Sequence, residues 1–129
     1  FELSYFTPEK FRWQLYLDAA YTLGVKPSAG TNDPLPEIPP FESNLKFQYR
    51  FFNERFVPEI RLRMVAAQKR ISVDYNETPS EAFTTLDFNL FYLFGKYLKV
   101  RAGVTNVFNT SYYEHLNRNQ LGSQIPLYE

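Results

Sequence analysis

Cysteine is absent from this 129-residue chain, and histidine, tryptophan and methionine occur once each. The missing cysteine excludes a disulfide framework and a cysteine metal cluster, and is compatible with any compartment. No glycine-rich phosphate loop and no Gly-x-Ser-x-Gly nucleophile motif is present. Carboxylates are plentiful, but no pair stands out as acid and base. We therefore expect no enzyme, no catalytic residues and no cofactor. Charge of one sign is not in excess either: Lys plus Arg is 14 and Asp plus Glu is 14. Nothing in that balance points to nucleic acid as a partner. Long apolar runs are also lacking. Leu90-Phe91-Tyr92-Leu93-Phe94 falls far short of the roughly 18 residues that a spanning helix needs. No secretion signal opens the chain, since Phe1-Glu2-Leu3-Ser4-Tyr5 already reads as strand. Both ends read as cut, so this carries no information on export.

What is abundant is aromatic. Phe and Tyr number 13 and 10, yet mean hydropathy is negative, a mixture that suits strands with one greasy and one polar face. The dominant period is two. Phe11, Trp13, Leu15, Leu17, Ala19, Tyr21 and Leu23 alternate with Arg12, Gln14, Tyr16, Asp18, Ala20 and Thr22. Leu45, Phe47, Tyr49 and Phe51 alternate with Asn44, Lys46, Gln48 and Arg50. Pro58, Ile60, Leu62, Met64 and Ala66 stand against Val57, Glu59, Arg61, Arg63 and Val65. Leu86, Phe88, Leu90 and Tyr92 stand against Thr85, Asp87, Asn89, Phe91 and Leu93. Leu98, Val100, Ala102 and Val104 stand against Lys99, Arg101, Gly103 and Thr105. Phe1 to Tyr5 reads as the tail of a preceding strand. An amphipathic helix would instead place apolar residues three and four apart.

The connections alternate as well. Thr7-Pro8-Glu9-Lys10, Phe52-Asn53-Glu54-Arg55 and Gly95-Lys96 are short, whereas 25–40, 68–83 and 109–129 are long and polar or proline-rich. An up-and-down sheet with one plain rim and one elaborated rim gives that order, as outer-membrane barrels do. The strand cores run about nine to eleven residues, the length a tilted strand needs to cross a bilayer. Aromatics gather towards strand ends (Trp13, Phe51, Phe52, Phe56, Tyr92, Phe94, Tyr97), where interfacial girdles belong.

The expected fold class is therefore all-β: about five full strands plus a partial one of an antiparallel, up-and-down transmembrane β-barrel. Alternation alone does not say which face points inward. One face carries Arg12, Asp18, Lys46, Arg50, Glu59, Arg61, Arg63, Asp87, Lys99 and Arg101, and is expected to line a lumen; the other is nearly free of charge. A charge held at the hydrocarbon midplane costs roughly 2–4 kcal/mol in a barrel, so the uncharged face is the one fit for lipid. A secreted or periplasmic β-sandwich that binds glycans or serves as a structural module explains the polar face equally well. It explains the loop order and the aromatic weight less well. Five strands and a stub leave two bare edges, which lipid does not tolerate, so the segment must belong to a larger barrel or pair with another chain.

Three motifs add a resemblance. Gly103-Val104-Thr105-Asn106-Val107-Phe108-Asn109 precedes Tyr112-Tyr113-Glu114-His115-Leu116-Asn117-Arg118, and Leu35-Pro36-Glu37-Ile38-Pro39-Pro40 lies upstream. The chain resembles the C-terminal part of TonB-dependent outer-membrane receptors. There a G-x-x-N-L-F-(D/N) strand exit leads to Y-x-x-H-(L/I)-x-R, and a (L/V)-P-x-(I/V)-P-P loop precedes a strand. Pro126-Leu127-Tyr128-Glu129 is similar to the approach to the family's P-G-R element, which leads into the final strand. The resemblance covers about 35–129. It implies residues 1–129 as a C-terminal barrel portion, with the plug domain, earlier strands and final strand outside it. It also implies a 22-stranded, plugged barrel in the bacterial outer membrane. Its partners would be the lipid bilayer, the rest of the barrel and the plug, the inner-membrane TonB complex and an extracellular nutrient. That nutrient would be a ferric siderophore, haem, a metal, cobalamin or a glycan. A passive porin is the alternative in which no plug precedes the barrel.

The candidate ligand-binding residues lie in the last loop: Tyr112, Tyr113, Glu114, His115 and Arg118. Glu114 and His115 are the only plausible metal-ligand pair, with His115 the weak metal candidate, and would supply only part of a shell of about four. Alternatively His115 and Arg118 staple the loop to the rim. Tyr75, Tyr112 and Tyr113 could stack on an aromatic or sugar ligand or pack on neighbouring loops. The excess of Arg and Lys on the polar face has two readings: focusing of an anionic ligand, or hydrogen bonding to an acidic plug.

Overall fold

The computed structural model describes residues 1–28, 31–72, 75 and 77–116. Among the described residues, extended backbones produce eight strands. These are β1 (Glu2–Phe6), β2 (Trp13–Ala20), β3 (Val25–Ser28), β4 (Thr31–Pro34), β5 (Glu42–Tyr49), β6 (Phe56–Val65), β7 (Phe83–Phe94) and β8 (Leu98–Val104). Six of them form one sheet in the order β1-β2-β5-β6-β7-β8, and every pairing is antiparallel. The five full strands and the leading stub are where the alternation places them. Their lengths are less uniform than nine to eleven residues: β2 and β5 have 8, β6 has 10, β7 has 12 and β8 has 7. Ladder bonds continue past two of the shorter strands, since Tyr21 N–H donates to Phe1 O (2.9 Å) and Ala66 N–H to Phe41 O (2.9 Å).

The remaining pair, β3 and β4, is a small separate hairpin inside the first long connection. The sequence reads 25–40 as a long, proline-rich connection, and its composition does not mark strands within it. Val25 and Lys26 lie opposite Pro34 and Asp33, and Pro27 opposite Asn32, so the hairpin accommodates both prolines in a ladder only two strands wide.

Short and long connections alternate around the six-stranded sheet, as expected. At the plain rim, Thr7 is only 3% exposed and replaces a ladder group: Leu15 N–H donates to Thr7 Oγ1 (3.0 Å), and Thr7 N–H to Leu15 O (3.0 Å). Phe52, Asn53 and Glu54 all adopt positive φ (50°, 54° and 67°), an unfavourable backbone for Phe and Glu. The turn is held by Phe51 N–H to Phe56 O (2.8 Å) and by an Arg50–Glu54 ion pair of 2.6 Å. Pro58 sits third in β6, beyond the register shared with β5, where a missing N–H costs no rung on that side.

Register sorts the side chains into two faces. Leu15–Phe47–Ile60–Phe88–Val104 and Leu17–Leu45–Leu62–Leu86 are cross-strand rows on one face. Tyr16–Lys46–Arg61–Asp87 and Asp18–Asn44–Arg63–Thr85 are rows on the other. Among the described residues the strands touch only their hydrogen-bonded neighbours, and no second layer of strands covers the apolar face. Burial is consequently inverted. Phe47, Ile60 and Phe88 are about 40% exposed, whereas Gln14, Glu59, Thr85 and Asn89 are buried. Among the described residues only Val65 and Phe83 are buried hydrophobics, and they lie beneath a loop on the polar face. A sandwich would have produced the opposite.

Candidate functional site

The polar face holds its charges in a cross-strand network. Asn44 Nδ2 donates to Asp18 Oδ2 (3.0 Å) and to Glu42 Oε1 (3.1 Å). Arg63 grips both oxygens of Glu42, through Nε and Nη2, each at 2.9 Å, and reaches Glu114 Oε1 with Nη1 at 2.6 Å. Such two-pronged guanidinium–carboxylate contacts fix orientation as well as charge. Nearer mid-strand, Lys46 lies 4.1 Å from the centre of the Tyr16 ring. Buried Glu59 accepts from Asn89 Nδ2 (3.3 Å) and faces Arg61 Nη2 at 3.6 Å. Arg101 Nη2 donates to Asn89 Oδ1 (3.4 Å) and its guanidinium lies 5.1 Å from the Phe91 ring centre. Gly103 is the register partner of Asn89, and a Cβ there would meet Asn89 Oδ1 at 2.5 Å. Arg12 and Arg50 belong to the plain rim, outside the strands, where Arg50 Nη2 donates to Glu9 O (3.2 Å). Lys99 is exposed at the start of β8.

The motif after β8 is a built turn. Asn106 and Asn109 have φ of 47° and 50°, values that asparagine tolerates better than most residues. Asp87 Oδ1 accepts from Asn106 N–H (2.9 Å), and Val107 N–H donates to Leu86 O (2.7 Å). The Asn106 amide clasps Thr110, with Nδ2 on Thr110 O (3.0 Å) and Oδ1 receiving Thr110 N–H (2.9 Å). Thr110 Oγ1 donates to Thr84 O (3.0 Å). The chain thus turns back along the start of β7, and Asp87 serves as the cap of that turn.

This reversal brings the last loop to Arg63. Tyr112 stacks on Phe83 with centroids 4.2 Å apart at 19°, and Arg63 lies 5.3 Å from the Phe83 ring centre. Glu114 completes the pair with Arg63. Tyr112 and Glu114 make the rim contact, whereas His115 Nδ1 is buried with no hydrogen-bond partner among the described residues. No group of three His, Cys, Asp or Glu that could hold a metal occurs among the described residues. Tyr113 is 37% and Tyr75 66% exposed. Arg118 lies outside the described residues.

The Pro-rich loop is docked too. Gln68 Nε2 donates to Ile38 O (3.0 Å), and one carboxylate, Glu77, accepts from Glu37 N–H and from Ser72 N–H (2.7 Å). Gly24 lets the loop pack closely: a Cβ there would meet Ile38 Cδ1 at 2.7 Å and Leu35 Cδ1 at 3.0 Å, so those side-chain ends would have to shift. The two long connections enclose a hollow of about 250 Å³ bounded by Tyr21, Ile38, Phe41, Ala66, Lys69 and Arg70.

An open antiparallel meander, charged on one face, greasy on the other and elaborated at one rim, is the architecture of a β-barrel wall. The comparisons agree. A model of the family "TonB dependent receptor-like, beta-barrel" matches residues 1–107, so the chain belongs to the TonB-dependent receptor β-barrel family. Among solved structures, a protein titled "Copper transporter OprC" matches with a TM-score of 0.82 and 26% identity over 98% of this chain. This chain spans 20% of that one. No curated protein sequence matches.

Proposed function

We propose that the chain is the C-terminal part of the wall of an energy-coupled outer-membrane importer, whose apolar face meets lipid and whose polar face meets the lumen and plug. The observation that carries this reading is the inverted burial. The side chains that cost most in hydrocarbon are gathered on one face, where Glu42, Glu59, Arg61 and Arg63 pair with one another, while the other face carries no charge along its strands. The dimensions agree. At about 3.4 Å per residue, Thr84 to Phe94 extends ~34 Å, or ~26 Å at a tilt of ~40°, close to the apolar band of such barrels. At the plain rim Tyr49, Phe51, Phe56, Tyr92 and Phe94 form a chain of rings with successive centroids 4.4, 5.7, 6.2 and 4.3 Å apart. That is the interfacial girdle lipid headgroups favour.

The plug, the remaining strands and the TonB-coupling segment belong to the parent receptor, and the substrate is a scarce nutrient: a metal, a metal chelate, cobalamin or a glycan. The copper transporter among the structural relatives brings copper into that class. This stretch contributes no cysteine and one methionine, so soft copper ligands would come from elsewhere in the parent. The test has two arms. Single cysteines replacing Leu62 and Arg61 in the parent receptor should differ in cells, with the label at 62 quenched by lipid-phase oxygen and the one at 61 not. Uptake of the nutrient that supports receptor-dependent growth should vanish when TonB is deleted. Uptake that persists without TonB would identify a passive porin instead.

A further inference from the structure

Continuing the registers past the strand ends places Tyr21, Phe41, Ala66 and Ala82 in one row on the apolar face, since Phe41 O accepts from Ala66 N–H. The next row inward is Ala19, Ser43, Met64 and Thr84. Mid-face rows are built mostly from Leu, Ile and Phe, whereas Ala19, Ser43, Thr84, Ala66 and Ala82 are small, so side-chain volume drops at these positions between the larger Tyr21, Phe41 and Met64. The fall leaves a concavity. A hollow of about 630 Å³, lined by Phe41, Ser43, Met64, Ala82, Thr84 and Phe108 among others, adjoins the 250 Å³ hollow through Phe41 and Ala66. Among the described residues that line them, the larger hollow has no charged side chain and the smaller has Lys69 and Arg70 but no carboxylate. Among the described residues neither cation is paired, and both are exposed. The plain rim, by contrast, is closed by the aromatic chain.

We propose that this groove is a binding site for one anionic, phosphate-bearing lipid, with an acyl chain in the hollow over Ser43 and the headgroup on Lys69 and Arg70. The reading rests on the apolar face meeting lipid. Its position on that face, rather than on the polar one, separates it from any site for the transported nutrient. Two cations beside an apolar slot complement an amphiphile with a negative head, and a neutral lipid would leave both cations without a counter-charge.

The test uses the parent receptor in nanodiscs of phosphatidylcholine doped with phosphatidylglycerol, with retained lipids measured by native mass spectrometry. The wild type should retain phosphatidylglycerol preferentially. Lys69→Glu with Arg70→Glu should reduce that preference by roughly ten- to thirty-fold. Ser43→Leu, which narrows the floor of the hollow and leaves the cations in place, should reduce retention of the bound lipid, and unchanged retention would count against an acyl chain over Ser43. A spin label at Ile60→Cys serves as control. If Ile60 is shielded from lipid-phase oxygen, the face assignment fails and this site with it. If Ile60 is reached but the charge reversal leaves lipid preference unchanged, this inference alone is overturned. Equal retention of phosphatidylcholine and phosphatidylglycerol by the wild type overturns it too.

Discussion

Arg63 joins two carboxylates from different segments, and it does so half-buried, where such pairs hold more than surface ones but remain partly screened. Arg63→Ala should free the loop around Glu114, and Glu114→Gln should do so less, because the grip on Glu42 survives. The expected cost is about 1 kcal/mol for Arg63→Ala. It is checked by hydrogen exchange of the 106–116 amides in the folded parent receptor, which should quicken in that order. Gly103 is a different kind of constraint. With Asn89 Oδ1 only 2.5 Å from the position of a Cβ, Gly103→Val has to displace the Asn89 amide from Glu59 and Arg101. A loss of about 1–3 kcal/mol in urea unfolding from vesicles is expected, and Asn89→Ala in the same background should restore part of it.

At the level of the elements, the Asn-Val-Phe-Asn exit was legible as a family signature, but its physical purpose was not. Periodicity stops at Val104, and nothing local announces that Asp87, 19 residues earlier, will cap the turn. The structure supplies the reason for asparagine at 106: positive φ together with a two-way clasp on Thr110. Asn106→Ala should therefore cost about 1–2 kcal/mol, the left-handed backbone plus lost bonds, while Asn106→Gly should cost less. Equilibrium unfolding of the two variants decides it, and equal losses would rule out a backbone contribution. The β3–β4 hairpin escaped sequence reading because two prolines lie in its strands. One sequence reading of the last loop had His115 and Arg118 stapling it to the rim; Arg118 lies outside the described residues, and among those described Tyr112 and Glu114 make a rim contact, with Phe83 and Arg63, far away in sequence.

For the whole molecule, the decisive property is that each face has one solvent. A charge placed on the apolar face should cost according to depth. Leu62→Arg, at mid-strand, should destabilise the parent barrel by about 2–4 kcal/mol, and Phe56→Arg, in the ring chain at the rim, by no more than about 1. Thr85→Arg on the polar face should be tolerated better than Leu62→Arg. Folding into vesicles monitored against urea gives the ranking, and equal costs at 56 and 62 would contradict a membrane-embedded face.

The two-residue period, the order of short and long connections and the segregation of charge were all fixed locally, because alternation along an extended backbone needs no knowledge of what packs against it. Direction was not. Whether Leu and Phe turn towards a common centre or away from one depends on whether a second layer exists, and that became visible only in the sheet itself. The hollow near Ser43, the Arg63 pairings and the cap from Asp87 likewise belong to register and to long loops folding back, where residues far apart in the chain become neighbours.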